Sequence, residues 1–373
     1  MPGALSGLRV LEIKGIGPGP FAAMLLADMG ADVIRVDRPD PENDPAGADD
    51  PTHAVLARGR RSIVLDLKSP EGADTLLRLV ETSDVLIEGF RPGVMERLGV
   101  GPQVCLERNP RLVYGRVTGW GQEGPRARSA GHDINYIALS GALHNIARPG
   151  QPPTPPLNYV GDYAGGSLFL LFGIFCALHE LQRSGRGQVV DAAIVDGAAL
   201  LTAPFQAMLA KGLWNREAGT NILDGSAPHY DVYCCADGKY ISIAPNEAKF
   251  YAVLRDKLGL TGADWDEQHD RALWPKRKEQ LTALFAERTR DEWTALLEGT
   301  DACFAPVLDL VEAPAHPDNI AREVYTQANG LTQPSPAPRL SRTPGTIGAR
   351  PPAHGEHTQE ILDELRTAIT AER

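Results

Sequence analysis

Leu8-Arg9-Val10-Leu11-Glu12-Ile13, then Gly15-Ile16-Gly17-Pro18-Gly19-Pro20, then Phe21 to Met29 (FAAMLLADM), then Gly30 and Ala31-Asp32-Val33-Ile34-Arg35-Val36-Asp37 decide the fold. The first stretch is a short apolar run of strand length. The second is a turn. The third has apolar residues at helical spacing and stops at a glycine, and the fourth is a second apolar run rich in β-branched residues. A strand, a crossover helix and a second strand make a unit that builds parallel sheets. The unit recurs in kind. Ser62 to Leu67 predicts a strand, Pro70 to Thr82 an amphipathic helix, Asp84 to Ile87 a strand, Val94 to Leu98 a short helix and Leu112 to Val117 another strand. Tyr163 to Arg183 reads as one long helix, and Gln188 to Ala192 as a strand.

Past about residue 200 the character changes. Tyr230 to Cys234 and Tyr240 to Ala244 flank Asp237-Gly238, a hairpin signal, and helices are expected at Glu247 to Leu258, at Lys276 to Arg288 and from Asp291. Ser335 to Pro352 is proline-rich and extended, and the last twenty residues read as a helix. The expected architecture is an α/β domain with an open, mostly parallel sheet over residues 1–200. A smaller α+β domain covers 225–330, and a C-terminal segment, 331–373, returns to the first.

Composition excludes several classes. The chain has 373 residues, 43% hydrophobic and 23% charged, with a net charge of -11. An acidic surface repels nucleic acid, so none is expected as partner. The five cysteines contain no C-x-x-C pair, which points to a reducing, cytoplasmic compartment without disulfides or thiolate metal sites. The beginning of the chain lacks the pattern of a signal peptide. The most apolar run, Ser167 to Leu178, is too short on its own to span a bilayer, so no membrane role is expected.

The glycine-rich turn invites a dinucleotide reading, but it fails the G-x-G-x-x-G pattern. Pro20 stands at the third glycine position, and Pro18 and Pro20 each remove an N–H that a pyrophosphate would use. A tight turn closing a βα unit is the better account. The histidines are scattered without metal-ligand spacing, so no metal is expected.

Three stretches carry candidate chemistry. Gly131-His132-Asp133-Ile134-Asn135-Tyr136 holds a histidine able to move a proton near neutral pH, or else a structural histidine at a loop end. Asp162 precedes the apolar helix and suits an N-cap, a place where helix N–H groups also stabilise a carboxylate. Glu247 opens a helix after the hairpin, where a glutamate is electrostatically favoured in any case. Arg35, Arg38, Arg58, Arg60, Arg61, Lys68 and Arg91 make an early basic cluster suited either to an anion or to a solvated loop. Gly165-Gly166 removes side chains behind Asp162, for close substrate approach or for helix packing.

In their order along the chain, these stretches resemble the CaiB/BaiF family, the class III CoA-transferases and their relatives. The resemblance rests on Gly7 to Glu12, Gly30 to Val36, Asp84 to Gly93 (DVLIEGFRPG), Gly187 to Asp191, Ala305-Pro306-Val307 and Ala337 to Gly345 (APRLSRTPG). His132 in Gly-His-Asp-Ile-Asn-Tyr is similar to the α-methylacyl-CoA racemase branch. The resemblance implies a racemase of 2-methylacyl-CoA thioesters, acting through an enolate without a cofactor, in an interlocked homodimer. A class III CoA-transferase using Asp162 as nucleophile is the alternative. The resemblance further implies His132 and Asp162 as the proton-moving pair, Glu247 as a hydrogen-bond partner of the histidine, and the Asp133 backbone as an oxyanion donor. Arg38, Arg58, Arg61 and Arg91 would hold the CoA moiety. The loop Pro39 to Thr52 looks longer and more acidic than the family pattern.

Overall fold

The computed structural model describes residues 3–39 and 52–371. The acidic loop singled out above therefore lies almost entirely outside the described residues.

The chain divides into two compact units. The first contains residues 1–140, 156–202 and 323–373, and is built on a six-stranded sheet. Its strands are β1 (Arg9–Ile13), β2 (Asp32–Asp37), β3 (Arg60–Val64), β4 (Val85–Glu88), β5 (Val113–Thr118) and β6 (Val189–Ala193). All pairings are parallel, and the order is β3-β2-β1-β4-β5-β6. The chain winds outward from β1 to β3, then crosses back to β4 on the other side of β1. At that reversal the loops after β1 and β4 part, and a crevice opens at their C-terminal ends. Helices cover both faces, so the strands are largely buried, with Val10, Leu11, Ile34, Val85 and Leu86 fully buried and the charged residues among them, such as Glu12 and Arg60, paired.

The helix Pro18–Asp28 starts at Gly17, whose φ of 69° favours glycine. Pro18 and Pro20 fall in its first turn, where backbone N–H groups have no intrahelical partner, so the prolines cost the helix nothing. The helix Pro70–Glu81 is capped by Ser69, whose Oγ accepts from Gly72 N at 3.0 Å.

The expected helix from Tyr163 is longer and of two kinds. Tyr159–Leu168 is π-helical and Phe169–Ser184 is α-helical. Asp162 is thus not an N-cap: Asn158 holds that position, and Asp162 lies in the first turn. The combined run of 26 residues is long and apolar enough to cross a membrane by length and composition alone, although Leu170, Leu171, Ile174 and Ala177 pack into the core beside the sheet. The C-terminal segment does return to this unit. Ser62 N and Val64 N on the edge strand β3 donate to His357 Nδ1 and Thr358 Oγ1 at 3.2 and 3.1 Å, which satisfies part of an exposed edge.

The second unit contains residues 141–155 and 203–322. Its antiparallel sheet runs β7 (Asp231–Cys234), β8 (Tyr240–Ile243) and β9 (Phe304–Val307), in that order. The helices Ala248–Leu258, Trp274–Phe285 and Arg290–Leu297 bury Tyr233, Ile241, Leu254, Phe285 and Trp293 against it. Gly141–Pro155 belongs here rather than with the flanking residues. Arg148 pairs with Asp231 at 2.5 Å, and Trp214 Nε1 donates to Asn145 Oδ1 at 3.3 Å. The hairpin of β10 (Tyr325–Ala328) and β11 (Leu331–Pro334) belongs to the first unit, which resumes at Glu323 rather than at 331.

Candidate active site

At the reversal of the strand order lies a cleft of about 690 Å³. Its walls are the turn Lys14–Pro20 after β1, Glu88–Pro92 after β4, Thr118–Trp120 after β5, the stretch Ser129–His132, Tyr136, Asn158 and Asp162. Every one of these residues belongs to the first unit.

His132 immediately precedes the helix Asp133–Leu139 and is its N-cap. Asn135 Oδ1 accepts from His132 N at 3.1 Å, which fixes the backbone from which the imidazole projects. The imidazole is exposed at the cleft wall. Tyr136, one turn on, donates its hydroxyl to Gly131 O and meets the Trp120 ring edge-on, with centroids 4.8 Å apart. Gly119 and Gly131 leave the space for that ring, because a Cβ on either would collide with it.

Asp162 approaches from the opposite element. Its Oδ2 accepts from Asn158 Nδ2 at 3.4 Å and lies 3.2 Å from where a Gly17 side chain would begin. Glycine at the β1 turn therefore clears space for the carboxylate. Burial pushes the Asp162 carboxyl above its ordinary range, and the neighbouring Asp133 adds to the rise, while Asn158 and His132 oppose it. Ser167 Oγ reaches both Pro18 O at 2.7 Å and Asp162 O at 3.1 Å, tying the π-helical turn to the helix after β1.

Asp133 has a role that the sequence reading did not foresee. Its side chain, only 7% exposed, accepts from Asp162 N at 2.7 Å, and the Gly161 backbone packs directly against the carboxylate. Tyr163 N is taken by Asn158 O at 3.3 Å. The Asp162 and Tyr163 N–H groups of the Tyr159–Leu168 helix are thus already engaged. The Asp133 N–H, at the first position of its own helix, has no intrahelical acceptor.

The early arginines sort sharply. Arg38 and Arg91 line the cleft, and among the described residues neither guanidinium is paired with a carboxylate. Arg38 lies over the Phe90 ring at 5.4 Å. Arg58 and Arg61, expected to grip the nucleotide end, do not line the cleft at all. Arg58 is 1% exposed and forks onto Asp28 at 2.9 and 2.5 Å, with Gln333 Oε1 at 2.6 Å. Arg61 binds Asp32, Glu360 and Glu364, which anchors the C-terminal helix Thr358–Ala371 to the sheet. Arg60 is likewise spent on Glu12 at 2.5 Å. The densest positive stretch of the sequence is internal wiring.

Gly165-Gly166 is also structural. A Cβ on Gly165 would lie 2.9 Å from Ala198 N, and one on Gly197 would strike Gly165 O, so the pair exists for close packing against the helix Ile194–Leu201. Glu247 lies in the second unit as the N-cap of Ala248–Leu258, with no side-chain capping bond. Also in that unit, Glu298, His316 and Asp318 place ligand-type atoms within 4.8 Å of one another at the surface, and His316 already pairs with Glu298 at 3.2 Å.

The CoA-transferase family III profile matches residues 5–358. The chain belongs to that family. It is 46% identical to α-methylacyl-CoA racemase of Mus musculus over 362 residues, 96% of this chain and 93% of the mouse protein. The Homo sapiens α-methylacyl-CoA racemase is also 46% identical, over 97% of this chain and 93% of the human protein. Among solved structures, a CaiB/BaiF family protein from Brucella suis superposes with a TM-score of 0.83 at 28% identity, covering 98% of this chain and all of that one.

Proposed function

We propose that the protein is an isomerase that racemises 2-methylacyl-CoA thioesters at C2. The observation that carries the reading is the meeting of His132 and Asp162 in one cleft, with the Asp162 carboxyl raised by burial above its ordinary range. Inverting a carbon by proton transfer needs one group on each face. One takes the proton as base and the other returns a proton as acid, and the roles exchange in the reverse direction.

Loss of the C2 proton leaves an enolate, whose oxygen must be met by a donor already in place. With the Asp162 and Tyr163 N–H groups engaged, the Asp133 N–H is the donor we assign. Arg38 and Arg91 supply positive charge for the phosphates of the CoA moiety. The route uses side-chain proton transfer alone and calls on no metal or organic cofactor. The free state of all five cysteines supports a reducing, cytoplasmic setting.

The working unit in this reading is a homodimer in which the partner subunit's Glu247 orders His132. Supporting it, Leu168, Phe172, Phe175, Leu200 and Leu201 leave apolar surface exposed on the first unit, with Phe172 67% exposed. Full activity in a monomeric species by light scattering would remove that part.

The test is one pure 2-methylacyl-CoA epimer in D₂O. Deuterium at C2 with loss of optical purity is expected. His132→Ala and Asp162→Ala should each lower turnover by about 10²–10⁴-fold in a folded protein. Transfer of CoA to an added carboxylate without C2 exchange would instead make Asp162 a nucleophile.

A further inference from the structure

We infer that the Asp133 carboxylate is a positioning residue that joins the two proton-transfer groups into one rigid unit, holding the Asp162 turn at a set place relative to His132. The inference deepens the reading above and rests on it.

Asp133 follows His132 in the chain, so its backbone moves with the histidine. Its side chain grips the other element, 29 residues on: Oδ2 takes the Asp162 N–H at 2.7 Å, and the carboxylate packs against Gly161. A short charge-assisted bond to the Asp162 N–H, with the Gly161 backbone packed on the same carboxylate, fixes the distance of the turn. Gly161 makes this possible, since a Cβ there would run into the Asp133 carboxylate. The contact is almost dry, with Asp133 7% exposed, so water competes poorly for the Asp162 N–H. A misplacement of about 1 Å at a reacting pair costs on the order of 10²-fold in rate, which is why such a clamp matters.

The contact also sets the charge around Asp162. Asp133 and His132 face Asp162 from one side, with Tyr136 on the same helix and Arg91 beyond it. The turn on the other side, Lys14–Pro20, carries one charged group, Lys14, at its far end from Gly17. Asp133 Oδ1 is buried without a hydrogen-bond partner, so its negative charge is poorly screened and pushes the Asp162 carboxyl up. An amide at this position keeps one oxygen to accept the Asp162 N–H and removes the charge.

Three variants read the two effects apart. Asp133→Ala loses the clamp and should lower kcat by about 10–100-fold with KM within about twofold. Asp133→Asn should recover most of the kcat, but its pH profile for kcat/KM should move to lower pH, because Asp162 then releases its proton more readily. Gly161→Ala, made without touching Asp133, should reproduce the kcat loss by pushing the turn away. Circular dichroism and Tm establish that each variant is folded. If Asp133→Ala does not fold, Asp133→Asn and Gly161→Ala decide the matter.

A folded Asp133→Ala or Gly161→Ala with the parent's kcat overturns the clamp. A folded Asp133→Asn with an unmoved pH profile overturns the charge effect. His132→Ala and Asp162→Ala run beside them separate the levels of failure. Their inactivity with unaffected Asp133 and Gly161 variants sinks only this inference, whereas their full activity sinks the racemase reading and the inference with it.

Discussion

Replacing Arg58 by Met tests whether the basic stretch serves the ligand or the fold. Methionine keeps the length of the side chain and removes the guanidinium from Asp28, which is 1% exposed. Asp28 already carries a carboxyl raised by burial, with Arg58 as the main force holding it down. Removing one partner of a buried ion pair costs about 3–5 kcal/mol, because the other charge is left without compensation. Gln333 Oε1, at 2.6 Å from Arg58 Nη1, loses its donor as well. For a domain of about 150–250 residues, each kcal/mol lowers Tm by about 2–4 °C, so the expected fall is about 6–20 °C. KM for the acyl-CoA ester, measured well below the new Tm, should stay within about twofold. In Asp28→Leu/Arg58→Met, where no charge remains buried, most of the lost stability should return. The assay is thermal unfolding by circular dichroism beside steady-state kinetics. A KM raised tenfold with an unchanged Tm would refute the reasoning and restore Arg58 as a ligand contact.

Two further expectations concern protonation. Burial raises the Asp162 carboxyl above its ordinary 3.8, so the folded chain holds that proton more tightly than the unfolded chain, and stability falls as pH climbs from 3.8 through the folded value. Asp162→Asn should therefore be inactive yet more stable than the parent at pH 7, with the gain fading towards pH 4; a less stable variant in urea titrations at pH 7 would contradict the burial argument. In the second unit, His229 is 1% exposed, with neither ring nitrogen hydrogen-bonded among the described residues, and burial lowers its pKa from 6.5 to about 4. The unfolded chain takes up a proton below pH 6.5 that the folded chain refuses until about pH 4, so about 3 kcal/mol should be lost over that window. His229→Phe should flatten the loss, read by tryptophan fluorescence from Trp274, whose ring lies 6.1 Å from His229; an unchanged slope would show that another group is responsible.

The local parts of this protein were legible in its sequence. The β1 strand, the parallel βα units and the Asp237-Gly238 hairpin follow from periodicity and turn chemistry, which are properties of neighbours along the chain, whereas His132 and Asp162 stood out as candidates only through the family resemblance. Pro18 and Pro20, read as part of a turn before a helix at Phe21, lie instead in the first turn of the helix Pro18–Asp28, where a fixed φ and a missing N–H are tolerated. What only the tertiary structure decided depends on partners distant in sequence. The reversal between β1 and β4, which opens the cleft, is a matter of strand order and not of any strand's own residues. Arg58, Arg60 and Arg61 look in sequence like the positive charge of an anion site. Their fate was set by Asp28, Glu12 and Asp32 and by a C-terminal helix some three hundred residues away, because a buried cation must take whichever carboxylate the fold brings beside it. Gly141–Pro155 joined the second unit through Asp231, and Asp133 gripped the turn of Asp162 across 29 residues. Periodicity reports which face of an element is buried; it carries no record of what that face, or a single buried charge upon it, will meet.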